Sequence, residues 1–175
     1  MNSSQTDNLH NVPTSGCLIG IDYGTKRIGI AVSDYRQFLA SPLNNYQRNG
    51  IQADERYFKK LVAEYEPTGL VVGLPLHMNG SESQKSGEVR QFGQWLFRMT
   101  ALPIAYHDER CTSVQAESLL LQAEMTSKQR KARLDKVAAQ ILLQAFLDLR
   151  RPPQPLTLDP VEDTDEVAHD STTDF

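Results

Sequence analysis

Three carboxylates of the sequence lie beside the ends of predicted strands and helices, where acidic side chains can meet in space. Asp22 directly follows the apolar run Cys17–Ile21, Glu109 follows the short run Pro103–His107, and Asp135 lies near the start of the last predicted helix. A charged side chain at the end of a buried strand is costly unless a cation or hydrogen bonds compensate it. Carboxylate oxygens without an accompanying pair of Cys or His residues favour Mg²⁺ or Mn²⁺ over zinc. The three acids therefore predict a divalent-metal site.

Each of these acids also has an ordinary explanation when it is taken alone. Asp22 could cap a turn through backbone N–H groups, and Glu109 could be a surface acid. Asp135 could pair with Lys131 one helical turn earlier. Alternation along the strand places Asp108 and Glu109 on opposite sides of the sheet, so only one of them can face Asp22. We favour Glu109 because its longer side chain reaches further past the strand end.

The sequence around Asp135 combines a basic segment with small residues. Five of the nine residues from Lys128 to Lys136 are Lys or Arg. Such a run is commonly a solvated surface, but beside a carboxylate cluster it also suits the phosphate backbone of a nucleic acid. Ala138 and Ala139, three and four residues after Asp135, would let this helical turn approach the sheet closely. The candidate nucleic-acid-binding residues are Lys26, Arg27, Arg110, Lys128, Arg130, Lys131 and Arg133.

The elements that must position these residues are predicted to form a mixed α/β sheet. Two β-branched runs around the turn Tyr23–Lys26 predict a central hairpin, and Pro42 places the next strand at an edge or a bulge. The unalternating run Leu70–Leu74 predicts a strand covered on both faces. Meandering strands followed by alternating helices and strands give a sheet of mixed direction. The predicted strands are Cys17–Ile21, Ile28–Val32, Phe38–Tyr46, Leu70–Leu74 and Pro103–His107, and the predicted helices are Ala53–Glu66, Ser81–Met99, Thr112–Leu121 and Arg133–Leu149.

The charge of the chain is unevenly distributed. The 175 residues carry 18 Lys and Arg against 22 Asp and Glu, but Asp159–Phe175 contains seven carboxylates and no Lys or Arg. Residues 16–158 are therefore net positive, which permits phosphate binding. We expect disordered tails at residues 1–15 and 153–175 around one domain at residues 16–152. No apolar run approaches the ~20 residues of a membrane span, and the N-terminus lacks the features of a signal peptide, so a cytoplasmic protein is expected.

Four separated motifs resemble the YqgF family in order and spacing. They are Gly20–Gly29, Val72–Pro75 with Gly80 and Ser81, Asp108–Arg110 with Thr112, and Asp135–Ala139. The family has the ribonuclease H-like fold shared with the RuvC resolvases. The resemblance, which covers about residues 17–150, therefore implies a ribonuclease H-like mixed five-stranded sheet flanked by helices.

The same resemblance implies that Asp22, Glu109 and Asp135 are the metal-binding catalytic acids, with Mg²⁺ or Mn²⁺ as the cofactor. Cys111 stands where a bulkier apolar residue often occurs in the family, and this departure changes little. No clear fourth acid accompanies the other three, which leaves the number of metal ions open.

Members of the family are described as Holliday-junction resolvases or as nucleases that mature the 5′ end of pre-16S ribosomal RNA. The resemblance therefore implies a metal-dependent nuclease that hydrolyses phosphodiester bonds in structured nucleic acid, with pre-16S ribosomal RNA as the favoured substrate. Branched four-way DNA is the alternative substrate, and a homodimer would suit its two-fold symmetry. A non-catalytic nucleic-acid adaptor is a further alternative. One domain argues against an actin-like phosphotransferase, which closes two such domains around a nucleotide, and no membrane partner is expected.

Overall fold

The computed structural model describes residues 12–76, 84–108 and 127–151, and over residues 127–136 it describes the helix but not its side chains. Five strands and three helices lie in these ranges. The strands are β1 Leu18–Tyr23, β2 Arg27–Ser33, β3 Ala40–Gln47, β4 Gly69–Leu74 and β5 Ile104–Asp108. The helices are α1 Ile51–Tyr65, α2 Gln84–Thr100 and α3 Ser127–Arg150.

The five strands form one mixed sheet in the order β3-β2-β1-β4-β5. The first three strands pair antiparallel as a meander, whereas β1, β4 and β5 run parallel to one another. This is the ribonuclease H-like sheet that the sequence motifs predicted, and that prediction is confirmed. The hairpin β1–β2 lies at the centre, and its strand β1 joins the antiparallel half to the parallel half.

Helices cover both faces of this sheet, which explains why its strands are apolar without alternation. On one face, Ile19 and Ile21 pack with Phe58 of α1 and Leu96 of α2. On the other face, Leu18 and its neighbours pack against α3. The buried residues of that second layer are Val12, Leu18, Ala31, Ala40, Val71, Ala105, Ala139, Leu142, Leu143, Phe146 and Leu147.

The predicted third strand is confirmed in kind but begins later than expected. It starts at Ala40, because the preceding Phe38 and Leu39 lie exposed in the turn, where their backbone N–H groups donate to the Asp34 carboxylate. Pro42 lies in an edge strand where the β2–β3 register shifts, as its missing N–H group requires.

The last helix begins at Ser127 rather than at the predicted Arg133. The basic segment was expected to be a loop leading into the helix. Lys, Gln, Arg and Ala are all strong helix formers, so the segment continues the helix by nearly two turns. The predicted start of the second helix at Ser81 and the predicted helix Thr112–Leu121 lie outside the described residues.

Packed chain extends to at least residue 12 at the N-terminal side, before the expected domain boundary at residue 16. Val12 is 2% exposed, and its Cγ1 lies against the Gly69 backbone, where an added Cβ would come within 2.2 Å of it. Arg150 of α3 donates to the carbonyl oxygens of Val12 and Pro13. One apolar residue in a polar segment is thus enough to fix the chain against the core. The remainder of the predicted tails lies outside the described residues.

Candidate active site

Asp22 is the second-last residue of strand β1, just before the β1–β2 turn, and it lies on the face of the sheet that α3 covers. Leu18 and Gly20 share this face by strand alternation, whereas Tyr23 faces α2. Asp22 pairs in register with Gly29 of β2. A Cβ added to Gly29 would lie 3.4 Å from the Asp22 Cβ and 3.7 Å from its Oδ2. A side chain at position 29 would therefore lie in van der Waals contact with the Asp22 carboxylate.

Two glycines let α3 approach the sheet closely beside Asp22. A Cβ at Gly20 would lie 2.7 Å from the Leu143 Cβ and 3.2 Å from the Ala139 carbonyl oxygen. A Cβ at Gly29 would lie 3.3 Å from the Ala139 Cβ. The prediction that a small residue at position 139 permits close approach is confirmed. The helix backbone thus lies directly over the strand that carries Asp22.

The position of Asp135 follows from this packing. It is one helical turn before Ala139 in α3, so it shares the helix face that meets Gly29 and Asp22. Asp135 is the ninth residue of the helix rather than part of its start, because α3 begins earlier than predicted. Its side chain is outside the described part of the structure, and its role as a ligand stays a prediction.

Strands β1 and β5 are parallel and end at the same edge of the sheet, but β4 lies between them, so they are not neighbours. Two strand spacings separate them, which is about 10 Å. Asp108 follows Tyr106 by two positions and so shares its face, which packs on α2, opposite to Asp22. This agrees with the choice of Glu109 over Asp108, although Glu109 itself lies outside the described residues.

Asp22 opens into a cleft of about 470 Å³ at the end of the central hairpin. We call this the Asp22 cleft. Lys26 and Arg27, two of the predicted nucleic-acid-binding residues, are exposed and line it. Lys85 from the first turn of α2 and Asn45 from β3 line it as well. The cleft therefore combines a carboxylate with three cations, an arrangement that suits a phosphodiester next to a carboxylate-bound metal ion.

Sequence reasoning missed Lys85 and Asn45. Neither residue lies in a motif or a charge run, and each reaches the cleft from an element that is distant in the chain. Lys85 follows the capping signature at Ser81, which places it near a helix N-terminus, and this was the only signal available. Of the remaining candidates, Arg110 lies outside the described residues, and the side chains of Lys128, Arg130, Lys131 and Arg133 are not described.

His107 of β5 is a second residue near the site that the sequence did not single out. It is 3% exposed, packs edge-on against Phe146 of α3, and its Nε2 has no hydrogen-bond partner within the described ranges. Burial lowers the pKa of His107, and the adjacent Asp108 carboxylate opposes this only in part. His107 pairs with Gly73, which is level with Asp22 in the β1–β4 register. The imidazole and the carboxylate therefore lie on one face of the sheet, two strands apart, with Gly73 at the same level of the intervening strand.

Among the residues whose side chains the structure describes, which are 12–76, 84–108 and 137–151, no group of three or more His, Cys, Asp or Glu residues could hold a metal ion. Asp22 alone of the three predicted acids has a described side chain. The open cleft leaves room for a hard cation beside Asp22, so the part of the site that is described fits Mg²⁺ or Mn²⁺. In the same ranges, every helix is too short or too polar to cross a bilayer.

Comparison with known proteins identifies the family. The family described as "RuvX: Holliday junction resolvase" matches residues 16–149. The chain belongs to this family, which is the YqgF family that the four motifs resemble. A mixed sheet with a carboxylate at the end of its first strand is what that membership leads one to expect.

Curated relatives cover most of the chain. A protein of Rhodopirellula baltica named "Putative pre-16S rRNA nuclease" is 44% identical over 139 residues, which are 79% of this chain and 80% of the relative. A protein of the same name from Rhodobacter capsulatus is 42% identical over 137 residues, which are 78% of this chain and 86% of the relative. Among solved structures, T. thermophilus RuvC in complex with a Holliday junction substrate matches with a TM-score of 0.47 and 14% identity over 77% of this chain and 95% of that chain.

Proposed function

We propose that this protein is a metal-dependent nuclease that hydrolyses phosphodiester bonds in structured RNA and processes the 5′ end of pre-16S ribosomal RNA. One observation carries the proposal: in a chain of the RuvX family, Asp22 opens into a cleft lined by Lys26, Arg27 and Lys85. The names of relatives at 44% and 42% identity supply the substrate. The site of action would be the cytoplasm, where ribosomal RNA precursors are present in a cell without a nucleus.

The chemistry is assigned to the chain's own residues as follows. Asp22, Glu109 and Asp135 would hold Mg²⁺ or Mn²⁺ through carboxylate oxygens. An ion bound there would supply an activated water at neutral pH and compensate charge on the leaving oxygen. Lys26, Arg27 and Lys85 bind the phosphates around the reacting one and hold the strand in position. Asp22 pairs with Gly29 in the β1–β2 ladder, so its backbone is already held in the sheet when the substrate binds.

Four-way DNA is the second candidate substrate, because the family description names Holliday junction resolution. A resolvase would act as a symmetric dimer on a two-fold junction. Sedimentation of the purified protein with and without a four-way junction tests this directly. A monomer that cuts RNA would remove the resolvase alternative, whereas a dimer that cuts only the junction would replace the ribosomal substrate.

The decisive experiment incubates the purified chain in Mg²⁺ with 5′-labelled pre-16S RNA and, separately, with a labelled four-way DNA junction. Asp22→Asn, Glu109→Gln and Asp135→Asn should each abolish cleavage, because each removes a ligand charge from the metal. Asp34→Asn is the matched control, since it removes the same charge at the opposite end of β2. Among the described contacts, the Asp34 carboxylate accepts hydrogen bonds from turn N–H groups. Full cleavage by Asp22→Asn would disprove the proposal. If the unchanged chain cuts neither substrate and the Asp22→Asn variant keeps the function of the chain in cells, the protein is a non-catalytic adaptor.

A further inference from the structure

A second cleft adjoins the Asp22 cleft on the other face of the sheet end. Tyr23 follows Asp22 and lines both clefts. The second one has a volume of about 300 Å³, and we call it the Trp95 cleft. Helix α2 also connects the two, because Lys85 lines the Asp22 cleft and Glu88, one helical turn later, lines the Trp95 cleft. Any polymer held in the first cleft is therefore within reach of the second.

Aromatic rings form the floor of the Trp95 cleft. The rings of Tyr23 and Phe92 lie 4.7 Å apart between centroids, and those of Phe92 and Trp95 are stacked at 5.5 Å with an interplanar angle of 29°. Tyr23 and Trp95 are only partly buried, so ring surface remains open to the cleft. Phe92 packs against both other rings, and Arg48 lies over the Tyr23 ring. Trp95 therefore provides the ring surface that is open to the cleft, and a ring held in place by its neighbours is a stacking platform that suits a planar ligand.

Arg48 is the cation of this cleft, and its charge is already compensated. Its Nε donates to the buried Asp54 carboxylate at 2.8 Å, and its Nη1 donates to the Tyr23 hydroxyl at 3.1 Å. The guanidinium lies over the rings of Tyr23 and Phe92, at 5.4 Å and 5.8 Å from their centroids. Because Arg48 is held by a carboxylate and two rings, it extends the planar surface rather than offering a free charge to a phosphate.

The polar groups of the cleft lie at its border. Glu88 and Gln91, both on α2, provide a carboxylate acceptor and an amide that can donate and accept. A ring platform bordered by hydrogen-bonding groups matches a nucleobase, whose faces stack and whose edges carry donors and acceptors. A peptide or a lipid would find neither a chain of apolar pockets nor an open cationic surface among the residues that line this cleft.

We propose that the Trp95 cleft binds one unpaired nucleobase of the substrate strand, close to the phosphodiester that is cleaved at Asp22. This inference rests on the proposed nuclease function and adds a recognition element to it: the substrate must present a single-stranded nucleotide beside the cleavage site. Tyr23 would then connect the two clefts, because it follows Asp22 in β1 and its ring packs on Phe92 beneath the base.

Trp95 provides a direct measurement, since it is the only tryptophan of the 175 residues. The probe is an RNA oligonucleotide that spans the pre-16S 5′ cleavage site, bound to the full chain without divalent metal so that no cleavage occurs. A base that stacks in the cleft should quench Trp95 emission on binding. A series of oligonucleotides, each with one abasic position, should then show a single position at which affinity falls about 5- to 150-fold and quenching is lost.

Two variants of α2 separate a stacking role from a general effect on the helix. Trp95→Leu keeps an apolar side chain but removes the ring face, so the affinity difference between the intact and abasic oligonucleotides should disappear. Phe97→Leu is the matched control, because Phe97 is 54% exposed on the same helix and lines a different groove. It should retain the full difference. Thermal unfolding of both variants checks that they fold, and the abasic series on the unchanged protein does not depend on them.

The results distinguish this inference from the proposed function. Cleavage of RNA with equal affinity for every abasic oligonucleotide would overturn the nucleobase site and leave the nuclease intact. Quenching at one position without any cleavage would support the nucleobase site and contradict the nuclease. Trp95 emission that changes with protein concentration, and not with RNA, would show that a second copy of the chain occupies the cleft instead. Absence of any RNA binding would overturn both.

Discussion

Replacing Gly29 by alanine should impair cleavage far more than folding. The added Cβ would lie 3.3 Å from the Ala139 Cβ, which is closer than ordinary contact, whereas its distance of 3.4 Å to the Asp22 Cβ is an ordinary one. The turn of α3 that carries Ala139 must therefore move away from the sheet by a few tenths of an ångström. Asp135 lies one turn before Ala139 in this helix, so the shift changes its distance from Asp22. The displacement should therefore disturb the spacing of the proposed metal-binding carboxylates.

The magnitude can be estimated from these distances. Overpacking by so small an amount costs about 1 kcal/mol, at the low end of its usual range. Alanine has less conformational entropy than glycine in the unfolded chain, which stabilises the folded state by about 0.4–1 kcal/mol. The free energy of unfolding should thus change by less than about 1 kcal/mol. Because a misplacement of ~1 Å can cost about a hundredfold in rate, a shift of a few tenths should lower the cleavage rate about tenfold.

Single-turnover cleavage of labelled RNA in Mg²⁺, together with urea unfolding, measures both quantities. Gly87→Ala is the control, since a Cβ at Gly87 in α2 meets nothing within 4 Å. It should stabilise the fold by about 0.5–1 kcal/mol without changing the rate. Adding Ala139→Gly to Gly29→Ala removes the crowding methyl group and should restore the rate, at a cost of about 1 kcal/mol of helix stability. A wild-type rate for Gly29→Ala would refute the idea that this packing sets the spacing of the proposed metal-binding carboxylates.

Three further predictions concern stability, pH and salt. Arg48→Ala should destabilise the fold by about 3–5 kcal/mol, because it leaves the Asp54 carboxylate at 1% exposure without its cation. Asp54→Ala should cost only about 1–2 kcal/mol, because Arg48 is 22% exposed and can reach water. Urea unfolding measures both variants, and the reverse order of destabilisation would contradict this prediction. Burial acts to raise the pKa of Asp34, but turn N–H donors outweigh it and hold the pKa below its usual value. The unfolded state therefore binds the proton more tightly than the folded state. At pH 7, the free energy of unfolding of Asp34→Asn should be about 0.5 kcal/mol lower than that of the unchanged protein, and this difference should vanish as the pH falls below about 4. A difference that persists in acid would show another cause. Changing the four basic residues of Lys128–Arg133 to Gln should flatten the slope of log affinity against log salt concentration. The slope should fall by up to about 0.9 per lost contact on duplex and about 0.7 on single strands. An unchanged slope would show that this segment is a solvated helix surface that does not bind nucleic acid.

The sequence by itself determined the central hairpin, the mixed sheet and the position of Asp22. These features depend on local patterns: β-branched runs around a glycine turn, a strand that is apolar without alternation, and an acid directly after a buried strand. Lys26 and Arg27 are adjacent to that acid in the chain, so their presence in the Asp22 cleft followed from the turn itself. Glu109 and Asp135 stay predictions, supported by the family to which the chain belongs and by the course of β5 and α3.

Only the tertiary structure decided which strand separates β1 from β5 and which distant residues complete the cleft. Strand alternation fixes the face on which a side chain lies, but it carries no information on the order of parallel strands, which depends on long-range pairing. Lys85 and Asn45 line the Asp22 cleft because the start of α2 and the end of β3 lie at the same corner of the sheet. The stacking of Tyr23, Phe92 and Trp95 is likewise a product of α2 packing on the sheet, since nothing in their spacing along the chain joins a strand residue to a helix.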